Sequence, residues 1–109
     1  MKLLISGSRN ISEFDLSPYI LSEVDAIICG GADGIDTIAE SYADAHRLSK
    51  HVVRPSLYLH GRTASLKRIE EMVELADSVL IISDGDSKDT LYTLGYAKRK
   101  NKPLTLITL

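Results

Sequence analysis

The chain lacks the materials of several protein classes. Its 109 residues include one cysteine and no tryptophan. A lone cysteine excludes an intramolecular disulfide and a cysteine-built zinc cluster. No apolar stretch approaches the roughly 20 residues of a membrane span, and Met1-Lys2-Leu3-Leu4-Ile5 is too short for a signal-peptide core. A charge surplus is missing too: the formal net charge of −2 gives no electrostatic argument for nucleic acid or an anionic membrane surface. His46, His51 and His60 fall on different segments without metal-ligand spacing. We therefore expect a cytoplasmic protein of one domain, residues 1–109, with no metal, no membrane and no nucleic acid as partner.

What is present is alternation. Lys2–Ser6, Asp25–Cys29, Lys50–Arg54, Ser78–Ser83 and Pro103–Leu109 read as short apolar strands, Val79-Leu80-Ile81-Ile82 being apolar on both faces as in the centre of a parallel sheet. Between them, apolar residues recur at helical spacing. The helices are expected over Glu13–Glu23, Gly34–Leu48 (Ile35, Ile38, Ala39, Tyr42, Ala43, His46 inward), Thr63–Ala76 (Leu66, Ile69, Val73, Ala76) and Asp89–Asn101 (Leu91, Leu94, Ala97). Ser12 and Thr63 stand as caps, and Pro18 weakens the first helix. Strand-helix alternation of this kind predicts an α/β, Rossmann-like three-layer sandwich of about five parallel strands with helices on both faces. Ligands of such sheets sit at the carboxyl ends of the strands, where the winding reverses.

The loops expected there carry the chemistry. Cys29-Gly30-Gly31-Ala32-Asp33-Gly34-Ile35-Asp36 joins a strand to a helix; its glycines either make a tight turn or let backbone approach a ligand, with unpaired helix N–H groups suited to a phosphate. Gly7, Ser8 and Arg9 follow the first strand, where a guanidinium suits two-point phosphate binding, against the alternative of an ordinary surface charge. Asp33 is expected to cap its helix and Asp36 to accept from ribose hydroxyls or an amino group. Asp84, Gly85, Ser87 and Thr90 form a second polar loop, whose hydroxyls either cap the fourth helix or hold a phosphate. Tyr58 and His60 lie in the loop after the third strand, within reach of a base, and Cys29 reads as a small buried hydrophobe.

Three of these stretches together resemble the SLOG superfamily, which includes DprA, the LOG enzymes and small stand-alone YspA-like proteins. The pattern is Gly7-Ser8-Arg9, then Gly30-Gly31-Ala32-Asp33-Gly34-Ile35-Asp36, then Gly61-Arg62-Thr63-Ala64 with Arg68, Met72 and Ala76-Asp77. The resemblance spans nearly the whole chain and fits the YspA-like group best. It implies a Rossmann-like fold, a pocket for a nucleotide or nucleotide derivative with no other cofactor required, Arg62 and Arg68 as further ligand-binding residues, and a homo-oligomer, which a solution mass measurement checks.

LOG enzymes follow the fourth strand with Pro-Gly-Gly-x-Gly-Thr and a glutamate. Here the region is Ser83-Asp84-Gly85-Asp86-Ser87-Lys88-Asp89-Thr90, with Asp89 in place of the last glycine and Tyr92 and Thr93 where the glutamate belongs. A sensor- or carrier-like binding module is therefore expected. The alternative is an N-glycosidic hydrolase with Arg68 and an acid, Asp36, Asp84 or Asp86, as catalytic candidates. A DprA-like single-stranded DNA binder comes third, disfavoured by the charge balance.

Overall fold

The computed structural model describes residues 1–85 and 88–109. Its strands are β1 (Lys2–Gly7), β2 (Ala26–Cys29), β3 (Ser49–Val52), β4 (Ser78–Ser83) and β5 (Leu104–Thr108). All pair in parallel in one sheet of order β3-β2-β1-β4-β5. The helices are α1 (Ile35–Ala45), α2 (Leu57–His60), α3 (Ala64–Leu75) and α4 (Lys88–Arg99). The expected Rossmann-like α/β arrangement is thus present. β4 is an inner strand, but β1 holds the centre.

The strand order explains the layers. The chain winds outward from β1 through β2 to β3, then returns to β4 on the other side of β1. Connections of one hand therefore fall on opposite faces before and after that reversal. On one face α1 buries Ile35, Ala39 and Ala43 against Leu3, Ile5, Ile27 and Leu80. On the other, α3 and α4 bury Ile69, Met72, Val73 and Ala97 against Leu4, Ile28, Val79 and Ile81. Leu4, Ile5, Ile27, Ile28, Ile81 and Ile82 are wholly buried, each contributing about 1.5–3 kcal/mol.

Several local expectations are corrected. Glu13–Glu23 is not a helix: only a 3-10 turn, Ser17–Tyr19, forms there. Pro18 sits in that turn with no N–H to give, and the Asp15 carboxylate accepts from Ser17 N at 3.0 Å, a local turn that competes with helix. The segment covers the sheet through Ile11, Leu16 and Val24 instead, which are buried without helical spacing. The stretch after β3 is not simply a loop, since it contains α2 and a 3-10 turn, Gly61–Thr63. In α3 Leu66 is exposed and Met72 buried. In α4 Leu91 is exposed, while Thr90 and Thr93 face inward with Ala97. That polar inward turn of α4 is explained by the cleft it borders.

Candidate functional site

The reversal of winding lies between β1 and β4. Their following loops leave toward opposite faces, and the gap between them is a cleft of about 550 Å3. Ser8 ties its two lips: its N–H donates to Ile82 O at 3.0 Å, and its hydroxyl accepts from Asp84 N at 2.9 Å. Gly7 lets β1 run this close to β4 and α1. A Cβ there would stand 2.1 Å from Ile82 O and 2.7 Å from Ile35 Cγ1.

The cleft gathers most of the residues expected at a site: Gly7, Ser8, Arg9, Ala32, Asp36, Arg68, Asp84, Gly85 and Thr90 all line it. Gly34 lines a smaller adjoining hollow with Arg9 and Thr37. Arg62, on the 3-10 turn before α3, is exposed and is not among the lining residues. Ser87 lies outside the described residues, as does Asp86. Sequence reasoning missed Lys88, on the first turn of α4, and the floor of Ile69 and Met72, which are core-facing residues of α3 at the same time. Helical spacing marked Ile69 as core and gave no sign of a second role.

Inside the cleft the glycine turn works differently from a phosphate cradle. The first N–H of α1, Ile35 N, donates to Ser8 O at 3.2 Å, so the chain itself covers that donor. Gly34, not Asp33, holds the cap position of α1, with φ 74° and no side-chain cap bond. Its missing Cβ admits the Ser8–Arg9 backbone, which would otherwise be 2.3–2.6 Å away. Asp36 closes the turn: its Oδ2 accepts from Gly30 N at 3.1 Å and Ala32 N at 3.2 Å.

Gly30 and Gly31 each make room for a guanidinium. Arg68, from α3, donates Nη1 to Gly30 O at 3.0 Å, and Arg54, after β3, donates Nη1 to Gly31 O at 3.4 Å. A Cβ on Gly30 would stand 2.9 Å from Arg68 Nη1, and one on Gly31 2.5 Å from Arg54 Nη1. Arg68 Nε is buried and has no hydrogen-bond partner among the described residues. A buried charged donor without an acceptor is costly, and the residue that carries it lines the cleft.

Electrostatics follow from the packing. Burial pushes the Asp36 carboxyl above its ordinary range, against the pull of the Ala32 and Gly30 N–H groups and of Arg68. Burial first, and the Asp36 charge second, push the Cys29 thiol up to about 11, which fits a packing residue and not a nucleophile. The raised Asp36 has a consequence for stability. The unfolded chain releases this proton in the ordinary carboxyl range, and the folded chain only above it. Stability therefore falls as pH rises through that window, because the folded state holds the extra proton. Asp36→Asn keeps an oxygen for the two N–H groups but cannot ionise. It is expected to remove that fall, as thermal midpoints of both proteins from about pH 4 upward will show; parallel curves would count against it.

Among the described residues, no group of histidine, cysteine and carboxylate side chains is placed to hold a metal ion, and no helix is long and apolar enough to cross a membrane. The cationic donors of the cleft are Arg9, Arg68 and Lys88; of its acids, Asp36 lies in the glycine turn and Asp84 and Asp89 stand at the opening of the β4–α4 connection. The arrangement can hold an anion at the guanidinium side and hydroxyl or amino groups at the carboxylate side. Comparison with protein-family models, with curated proteins and with solved structures finds no match to this chain.

Proposed function

We propose that this protein is a binding module for a nucleotide or nucleotide-derived ligand, of the SLOG kind, held in the cleft between the ends of β1 and β4. The observation that carries the reading is Arg68: a guanidinium anchored on Gly30 O, with a buried Nε lacking an acceptor, in the wall of a cleft at the reversal of the sheet. A phosphate accepts from Arg68, with Lys88 and Arg9 adding charge at the rim. Ile69 and Met72 offer apolar surface to a base, and Asp84 or Asp89 accepts from ribose hydroxyls. About 550 Å3 lies within the 300–1,000 Å3 typical of small-molecule pockets.

The test is thermal unfolding with a panel of nucleotides. At about 100 times its dissociation constant a ligand adds about 2.7 kcal/mol, a rise of about 10 °C for a domain of this size. No rise with any nucleotide at millimolar concentration would contradict the reading.

One observation favours a second reading, an N-glycosidic hydrolase. Asp36 has a raised carboxyl in the same cleft, as a proton donor to a leaving base requires. Its Oδ2 is, however, already engaged by two backbone N–H groups. Release of free base from nucleoside monophosphates, lost in Asp36→Asn, would establish the hydrolase; intact nucleotide would leave the binding module.

A further inference from the structure

Arg68 also borders a second groove, of about 380 Å3. Arg54 and His60 line that groove with it. The seats of the two arginines are consecutive carbonyls, Gly30 O and Gly31 O, and the space each guanidinium fills is the space a Cβ would take. The glycine pair therefore seats two guanidinium groups that line one groove. Among the described residues neither belongs to an ion pair. Two of the groove's three carboxylates are partly committed elsewhere, Glu70 to the Tyr92 hydroxyl and Lys67 and Glu74 to the Tyr96 hydroxyl and Lys100, while the third, Glu71, is exposed. Arg68 already feels the Asp36 carboxylate, while Arg54 has no ion-pair partner among the described residues, and an anion touching both guanidinium groups is attracted by each.

We propose that Arg54 and Arg68 form a second anion subsite, joined to the switch-point cleft through Arg68, and that the ligand class is a nucleoside diphosphate or its pyrophosphate-linked derivatives. The inference rests on the nucleotide-binding reading above and extends it. The phosphate nearer the nucleoside meets Arg68 from the cleft, and the next meets Arg54. Arg54 is a specificity residue in this arrangement: it distinguishes one phosphate from two.

Calorimetric titration of wild-type and Arg54→Gln protein with AMP and with ADP tests this. Arg54 is exposed, so its replacement leaves the buried sheet untouched. Wild type is expected to bind ADP about tenfold more tightly than AMP, the effect of one charge-assisted contact. Arg54→Gln is expected to bring ADP down to the AMP affinity and leave AMP within about twofold. Equal wild-type affinities, or an equal loss for both ligands in the variant, would overturn the subsite while AMP binding upheld the cleft. If neither nucleotide binds wild type, the cleft reading itself falls.

Discussion

Gly7→Ala is expected to destabilise the fold by more than about 3 kcal/mol, toward the upper range for a single substitution. The added Cβ meets Ile82 O at 2.1 Å and Ile35 Cγ1 and Cβ at 2.7 and 2.9 Å. Neither neighbour can retreat. Ile82 is the partner of Gly7 in the β1–β4 register, and its carbonyl also accepts from Ser8 N. Ile35 is wholly buried where α1 begins. Relief would require parting β1 from β4 at the lips of the cleft, so ligand binding is expected to go with stability. Gly95→Ala is the control. It lies inside α4 with nothing within 4 Å of the added atom, and is expected to stabilise by about 0.5–1 kcal/mol through helix propensity and a less flexible unfolded chain. Urea unfolding of the two variants checks both signs. A loss under about 1 kcal/mol for Gly7→Ala would mean that the strand ends are looser than described.

Arg68→Ala is expected to weaken AMP binding about 10- to 100-fold, the range for losing charge-assisted hydrogen bonds to a phosphate. Arg68 is fixed before any ligand arrives, by Gly30 O and by its place on α3. Little ordering cost remains for binding, which is why its removal costs more than loss of the exposed Arg9. Arg68→Lys keeps the charge but not the planar fork, and is expected to recover only part of the affinity. Arg68→Ala also removes a positive neighbour of Asp36, so in that variant the Asp36 carboxyl moves further up. Calorimetry, read beside the unfolding curve of each variant, separates lost contact from lost fold. Unchanged AMP affinity in Arg68→Ala would remove the residue from the site.

The sequence was most informative where one periodicity ruled. β1, β2 and β4 are buried on both faces and read as unbroken apolar runs; α1 has one apolar stripe and one wet one. It was least informative where polar residues turn inward for a reason other than packing. Thr90 and Thr93 occupy the inner face of α4 because that face borders the cleft, and Leu91 is left outside. The segment from Ile11 to Val24 is apolar enough to cover the sheet, but Pro18 and the Asp15 turn keep it from being a helix.

The site was legible in the same uneven way. The loops after β1, β2 and β4 converge on one cleft, whereas the segment after β3 with Tyr58 and His60 does not line it. The glycines showed that something must come close to the turn, but not what. Gly31 is occupied by Arg54, 23 residues away in the chain, and no local pattern links the two. Ala76-Asp77, part of the resemblance, lies at the opposite end of the sheet. There Asp77 Oδ2 accepts from Lys2 N and Asp77 N donates to Lys2 O, both at 2.8 Å, pinning the start of β1 beside β4. That motif positions strands, whereas the Arg68 of the same stretch faces the cleft.

The most direct test is an amide NMR titration of the wild-type chain with AMP. The expected result is that the largest shift changes fall on Ser8, Arg9, Ala32, Asp84, Gly85 and Thr90, around the cleft between β1 and β4, with little change at Lys50 or Thr105 on the outer strands. Changes centred on those outer strands, or none up to millimolar AMP, would contradict a nucleotide site at the reversal of the sheet.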